Sequence, residues 1–499
     1  MNIDGFASDF GLARRPSKLG SSMRIDEYEG LDGLDLAALL ARKEVQPAEL
    51  MDCALQLAEQ RGKPLNALTY VQPETGKALA AEWRQRGIFR GIPFLLKDSG
   101  LPSRRFPSSL GSRLFDDVSY TFDATLAERF EAAGLVPFAR TTVSELCMGP
   151  STEARRNGGA TLNPRALDRS VGGSSGGAAA AVAAAIVPVA HGSDGGGSIR
   201  IPAACCGVFG LKPSRGRVPM GPARGEGWGG MACEGVITRS VRDTAAALDG
   251  IGGYAPGAPY AAPPQPGSYL DSVREQRREP LRIAVWRQAW NGIAIAPECL
   301  AAVDRTARLC RELGHEVVEA PLPDLDYAGF VRAHGTVLAT NIVLAVQARL
   351  ALLGRDLCDD DLEPVIRDGL AVGRTLSSTQ YVDSINRFHA IGRAIESAMT
   401  GVDLVLTPTL AQLPAVLGDL ALEGEFWAFR EKVSRYATFL AVINASGQPA
   451  ASLPLDWTAA GVPVASQLIG HFGREDQILR LAAELERAAP WAGRQILLP

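Results

Sequence analysis

One stretch of 32 residues constrains this chain more than any other: VGGSSGGAAAAVAAAIVPVAHGSDGGGSIRIP, residues 171–202, in which eight glycines and four serines flank a block of alanines. Glycine gives up more backbone freedom on folding than any other residue. Two clusters so close together therefore imply a backbone that turns sharply, or is approached closely, at two places. The alanine block between them predicts a buried helix. GGSSGG stands at its start, where Ser174 or Ser175 meets the positive end of the helix dipole as capping residues do. VPVAHGSD then reads as a strand, GGG interrupts it, and SIRIPAACCG resumes with small apolar residues.

Neither glycine cluster is a phosphate cradle. A P-loop needs Lys followed by Ser or Thr after its last glycine, and Gly177 is followed by Ala178. GIGGYA, residues 250–255, matches GxGxxA, but Pro256 stands where the helix of a dinucleotide site would grow. A serine placed directly after three glycines is open to approach, and successive backbone N–H groups point into the space beside it. Ser198 is thus a candidate nucleophile next to an oxyanion hole. A serine hydroxyl attacks only when a base takes its proton. His191, at a strand end seven residues upstream, reads as structural, whereas Lys97 ends the apolar run GIPFLLK. Burial disfavours the charged form of a lysine, so a desolvated Lys97 can serve as base; the competing reading pairs it with its neighbour Asp98.

Composition removes other classes. Charged residues make up 21% with a formal net charge of -4, which leaves no basic field for nucleic acid or an anionic membrane surface. Arg14 and Arg15 precede no apolar run, so no secretory or twin-arginine signal is expected, and the sequence shows no uninterrupted apolar stretch of membrane-spanning length. The eight cysteines form no CxxC pair, adjacent Cys205 and Cys206 read as buried thiols, and the five histidines lack metal-ligand spacing. The expectation is a cytoplasmic protein with no metal and no cofactor.

Along the chain, residues 31–62 predict two amphipathic helices broken at Pro47. Residues 92–96 predict a buried strand, and 123–134 a helix followed by a strand over 135–139. The five prolines of residues 253–268 predict a surface connection. LRIAVW, PECLAAVDRTARLCRELG and HEVVEA predict strand, helix and strand; a helical excursion over about 320–400 leads to the strand DLVLTPTL. This alternation implies an α/β fold: a mixed, mostly parallel central sheet with helices on both faces. The expected division is an N-terminal helical segment, 1–70, packed on a single domain, 71–499.

GIPFLLKD, GGSSGG and GSDGGGSIRIP in that order, with 24 residues from Ser174 to Ser198, resemble the amidase signature family of Ser-Ser-Lys hydrolases. The likeness extends to GSRLF, MGPSTEARRNGGATLNP, CCGVFGLKPSRGRVP, DLVLTPT, NASGQPAASLPL and GVPVASQLIGHFGREDQIL. It implies an amidase fold and the following roles. Ser198 is the nucleophile, Ser174 the bridging serine behind a cis Gly173–Ser174 peptide, and Lys97 the neutral base. Gly195, Gly196 and Gly197, with Ser198, supply oxyanion amides. Ser175 supports the lysine, Asp194 and Arg200 hold the loop, and Cys147, Met148 and Gly149 line the acyl side of the pocket. Thr142 departs from the family's usual asparagine, which implies a different backbone anchor there.

The resemblance leaves open which amide is cut. A glutamine-hydrolysing amidotransferase A subunit would need an aspartate where this chain has Ala437, twelve residues before Pro449. The wording GEGWGGMACEGVITRSVRDTAAALDG is more similar to the bacterial 6-aminohexanoate-cyclic-dimer hydrolase group, which implies small, largely uncharged linear or cyclic amides with water as co-substrate. A homodimer is left open. A catalytically silent binding or scaffold protein with the same fold is the reading from another class.

Overall fold

The structure, a computed structural model, describes residues 23–84, 86–274 and 279–499. Arg14 and Arg15, and the beginning of the expected segment 1–70, lie outside the described residues. Among the described residues, one mixed sheet of eleven strands organises the fold. In chain order these are β1 (Leu68–Thr69), β2 (Ile92–Lys97), β3 (Leu135–Thr141), β4 (Val189–Asp194), β5 (Phe209–Lys212), β6 (Cys233–Thr238), β7 (Arg282–Val285), β8 (Glu316–Glu319), β9 (Leu404–Pro408), β10 (Ala450–Trp457) and β11 (Pro463–Gly470). In space they run β1-β3-β2-β4-β6-β5-β10-β11-β9-β7-β8.

The α/β class and the mixed sheet agree with expectation, but the pairing is not mostly parallel. Parallel ladders form two wings, β3-β2-β4 and β9-β7-β8. Between and beside them every ladder is antiparallel. The physical reason is insertion. β6 slots between β4 and β5 against their direction, and the β10–β11 hairpin, closed by a short turn, joins two wings that run opposite ways. Alternation of strands and helices reports how many units there are, not which way a strand enters.

Strands β2 and β3 are buried along their whole length, so both faces of this wing are covered. Helix Gly176–Ala183 is buried at every residue, as the alanine block requires, and packs on β4 and on the short helix Arg200–Cys206. Helix Pro47–Leu57 starts on proline and buries Leu50, Met51, Ala54 and Leu57, the spacing of an amphipathic helix, into the main core. The connection over 253–268 contains no helix or strand.

The helical excursion comprises Tyr327–Leu353, Pro364–Thr375 and Ser378–Ala398. The first of these is interrupted by polar residues such as Arg332, His334, Asn341 and Arg349, as expected. By length and composition alone it is nevertheless long and apolar enough to cross a membrane, a property it shares with core helices of soluble proteins. Gly329 and Gly335 do not break it, because one flank is held against the other two helices of the excursion and against helix Phe426–Tyr436. That flank brings His334 toward the serine loops.

Candidate active site

The parallel pairing of β2 with β4, with Leu95 opposite Ala190, brings the carboxyl ends of two neighbouring strands together. Crevices at the carboxyl ends of strands are where α/β sheets hold ligands. Lys97 ends β2, and Ser193 and Asp194 end β4. Lys97 is fully buried, and its Nζ lies 2.8 Å from Ser174 Oγ and donates to Ser193 Oγ at 2.8 Å and to the Ser193 carbonyl at 3.3 Å. No carboxylate forms an ion pair with it among the described residues. Asp98 is turned away, accepting from Ser108 Oγ, Ser109 Oγ and the Ser109 amide. Burial pushes the Lys97 amine below the ordinary lysine range, against the smaller upward pull of Cys147, Glu234 and Asp194.

His191 is structural, as its position suggested. The Lys97 amide donates to His191 Nδ1 at 3.1 Å, so that nitrogen accepts and Nε2 carries the proton toward Glu234, 2.9 Å away. Arg140, fully buried, donates to the Lys97 carbonyl at 2.9 Å. The lysine's backbone is therefore held from both sides.

The second serine loop is wired through Asp194. Its carboxylate accepts from the Gly197 amide at 2.7 Å, the Ile199 amide at 3.2 Å, Arg200 Nε and Nη2 at 2.9 Å each, and Asn444 Nδ2 at 2.8 Å. Burial alone would raise its pKa, but the Arg200 charge and these donors outweigh burial and hold it far below the usual carboxylate range. Asp194 and Arg200 thus do brace the loop, and Asn444 joins them. Two expectations change. Gly197, at φ +124, aims its N–H at Asp194, so it is committed to the loop rather than free as an oxyanion donor. The amides of Gly195, Gly196 and Ser198 carry no intramolecular partner among the described residues. Ser175 does not bond the lysine: its hydroxyl donates to the Ser193 carbonyl at 3.2 Å, so its support passes through Ser193, while its amide donates to the Ser198 carbonyl at 3.3 Å.

The Gly173–Ser174 peptide is cis. Thr142 anchors by its hydroxyl, which lies 3.1 Å from the Asn66 carbonyl and 2.7 Å from Thr161 Oγ1.

A cleft of about 320 Å³, including its mouth, opens over the loop that carries Ser198. Ser198 and Gly196 line it together with the expected Cys147, Met148 and Gly149. Trp228, His334, Leu338, Arg430 and Val433 also line it and were not expected. Trp228 packs so close that a Cβ on Gly195 would lie 2.3 Å from its ring, which is why glycine stands there. Ser193 was missed as well; the signal for it was its place at a strand end, next to Asp194. Nothing local marks His334 or Arg430, which reach the cleft from separate helices.

The Amidase family profile matches residues 49–479. The 6-aminohexanoate-cyclic-dimer hydrolase of Paenarthrobacter ureafaciens is 36% identical over 486 residues, covering 94% of this chain and 97% of that protein. The solved structure of a 6-aminohexanoate cyclic dimer hydrolase complexed with substrate superposes with a TM-score of 0.87 at 33% identity, over 94% of this chain and 99% of the other. A bacterial aryl acylamidase of the amidase signature family superposes with a TM-score of 0.83 at 26% identity, over 93% and 99%. A match that takes in both serine loops, the lysine strand and both wings of the sheet leaves one conclusion: the chain belongs to the amidase family and is a hydrolase of carbon–nitrogen bonds other than peptide bonds.

Proposed function

We propose that the protein hydrolyses small, largely uncharged amides, linear or cyclic, through an acyl-enzyme on Ser198. The observation that carries this reading is Lys97 Nζ, fully buried without a carboxylate partner and 2.8 Å from Ser174 Oγ. Neutral Lys97 takes the proton of Ser174 as Ser174 takes that of Ser198, whose Oγ then attacks the carbonyl carbon. Negative charge develops on the carbonyl oxygen, and the unpartnered amides of Gly195, Gly196 and Ser198 are the donors suited to meet it. Collapse breaks the C–N bond, and the leaving nitrogen receives the proton back along the same relay. Water then cleaves the ester, releasing the acid and Ser198.

Substrate charge follows from the cleft. Among the described residues no aspartate or glutamate lines it, and Ala437 stands where an amino-acid anchor would be needed, so the ammonium group of free glutamine would lie desolvated and unpaired. The relatives named for hydrolysis of a cyclic dimer support neutral amides as the class. Cytoplasmic residence belongs to the same proposal, supported by eight cysteines that are all unpaired.

A fluorophosphonate probe is expected to label the protein stoichiometrically, and Ser198→Ala to abolish labelling and lower turnover by several powers of ten. Labelling that survives in Ser198→Ala overturns the assignment.

A further inference from the structure

Within the cleft two cationic or hydrogen-donating side chains are buried without the partners such groups require. Arg430 is 7% exposed and makes no ion pair among the described residues. Its nearest acceptors are distant, the Met148 carbonyl at 3.5 Å and His334 Nδ1 at 3.4 Å, and its Nε has none. Burial pushes its guanidinium down to about 10. His334 is 5% exposed and stacks on Phe330, with ring centroids 5.8 Å apart. Because its Nδ1 faces Arg430, the ring proton belongs on Nε2, and that atom also lacks a partner. A Cβ built on Gly196 would lie 3.7 Å from His334 Nε2, so the orphan donor sits beside the nucleophile loop.

Buried donors are ordinarily satisfied, and an unpaired buried guanidinium is costly. Both residues line the same cleft as Ser198. Donors left open there suit an acceptor that arrives with the substrate.

Resting on the amide-hydrolase reading above, we propose that Arg430 and His334 form a specificity subsite that receives a second oxygen acceptor of the substrate, distinct from the carbonyl that Ser198 attacks. That acceptor is a second amide carbonyl or a carboxylate; the two share the chemistry of an oxygen that accepts from fixed N–H donors. Such a subsite selects bifunctional amides over simple alkyl amides. Hydrogen bonds to a charged donor are worth enough to make the preference about tenfold to a hundredfold in kcat/KM.

The test compares hexanamide, which has no second acceptor, with adipamide, which carries a second neutral amide, and with adipic acid monoamide, which carries a carboxylate. The wild-type enzyme is expected to favour one or both bifunctional amides by tenfold or more. In Arg430→Met and in His334→Phe that ratio is expected to collapse, chiefly through KM, while fluorophosphonate labelling of Ser198 reports that the site still forms. A larger loss with the monoamide identifies the carboxylate as ligand, and a larger loss with adipamide identifies the carbonyl. His334→Phe keeps the ring on Phe330 and carries the test by itself if Arg430→Met does not fold. Equal kcat/KM for the three amides in wild type, or ratios unmoved by both variants, overturns the subsite and leaves the hydrolase reading intact. Failure to hydrolyse any amide, with Ser198 unlabelled, overturns the hydrolase reading itself.

Discussion

Beneath the cleft, where β2, β4 and the serine loops meet, Lys97, Asp194 and Arg200 are fully buried and each held by several short hydrogen bonds. On the part of the cleft contributed by helices Tyr327–Leu353 and Phe426–Tyr436, His334 Nε2 and Arg430 Nε have no partner. The first region spends its polar groups on one another and so fixes reacting atoms in place; the second keeps donors in reserve. Chemistry needs geometry that does not move, whereas selectivity needs groups whose partner arrives with the ligand. Perturbing the first region is expected to cost turnover or stability for every substrate, and perturbing the second to cost discrimination between substrates.

The largest effect should come from Lys97→Arg. Arginine stays charged at any working pH and cannot accept the proton of Ser174, so turnover is expected to fall about 10³–10⁴-fold on all amides. In the wild type the lysine's pKa is lowered. The inactive, protonated form therefore prevails at low pH, and kcat/KM is expected to rise through that lowered value and level off above it. A Lys97→Arg enzyme with near wild-type turnover at pH 7, or a rate that falls as pH rises over this range, would remove the lysine from the base role.

Next comes the brace. Asp194→Asn leaves the Arg200 guanidinium buried without its counter-charge, and chemical denaturation is expected to show about 3–5 kcal/mol less stability. Because the folded Asp194 has a lowered pKa, its contribution is fully present at neutral pH, above the ordinary carboxylate value. It is lost as pH falls toward the lowered folded value, so the variant should also be less acid-sensitive than the wild type. Equal melting of the two proteins at pH 7 would show that the loop does not depend on this pair.

The smallest change in the folded state belongs to Ser174→Ala. Ser174 is not the cap of the alanine helix: that position is held by Ser175, whose side chain makes no capping bond. Turnover is expected to drop by about 10²–10³-fold with a melting curve close to wild type. A clear stability loss with activity retained would instead assign Ser174 a purely structural role.

Much of the region around the serine loops is legible in the sequence because each of its residues carries a local mark. Lys97 ends an apolar strand, and Ser174 and Ser198 sit among glycines that admit close approach, as Trp228 against Gly195 shows. The buried alanine helix and the amphipathic helix from Pro47 follow from residue size and spacing alone. The direction of β6 was not legible, since an inserted strand has the same alternation of side chains whichever way it runs. Nor was the commitment of the Gly197 amide, which depends on where the carboxylate of Asp194 turns.

What the residues alone reveal is the set of reactive groups: a lysine at the end of an apolar strand and two serines set among glycines. Their assembly, and what surrounds them, come from the packing of distant elements. Ser193 supports Lys97 because β4 lies beside β2, and His334 and Arg430, 96 residues apart, meet because two helices of the excursion and its flank fold over the serine loops. Contacts of that kind depend on how distant elements pack, and neither composition nor periodicity at either residue encodes the partner.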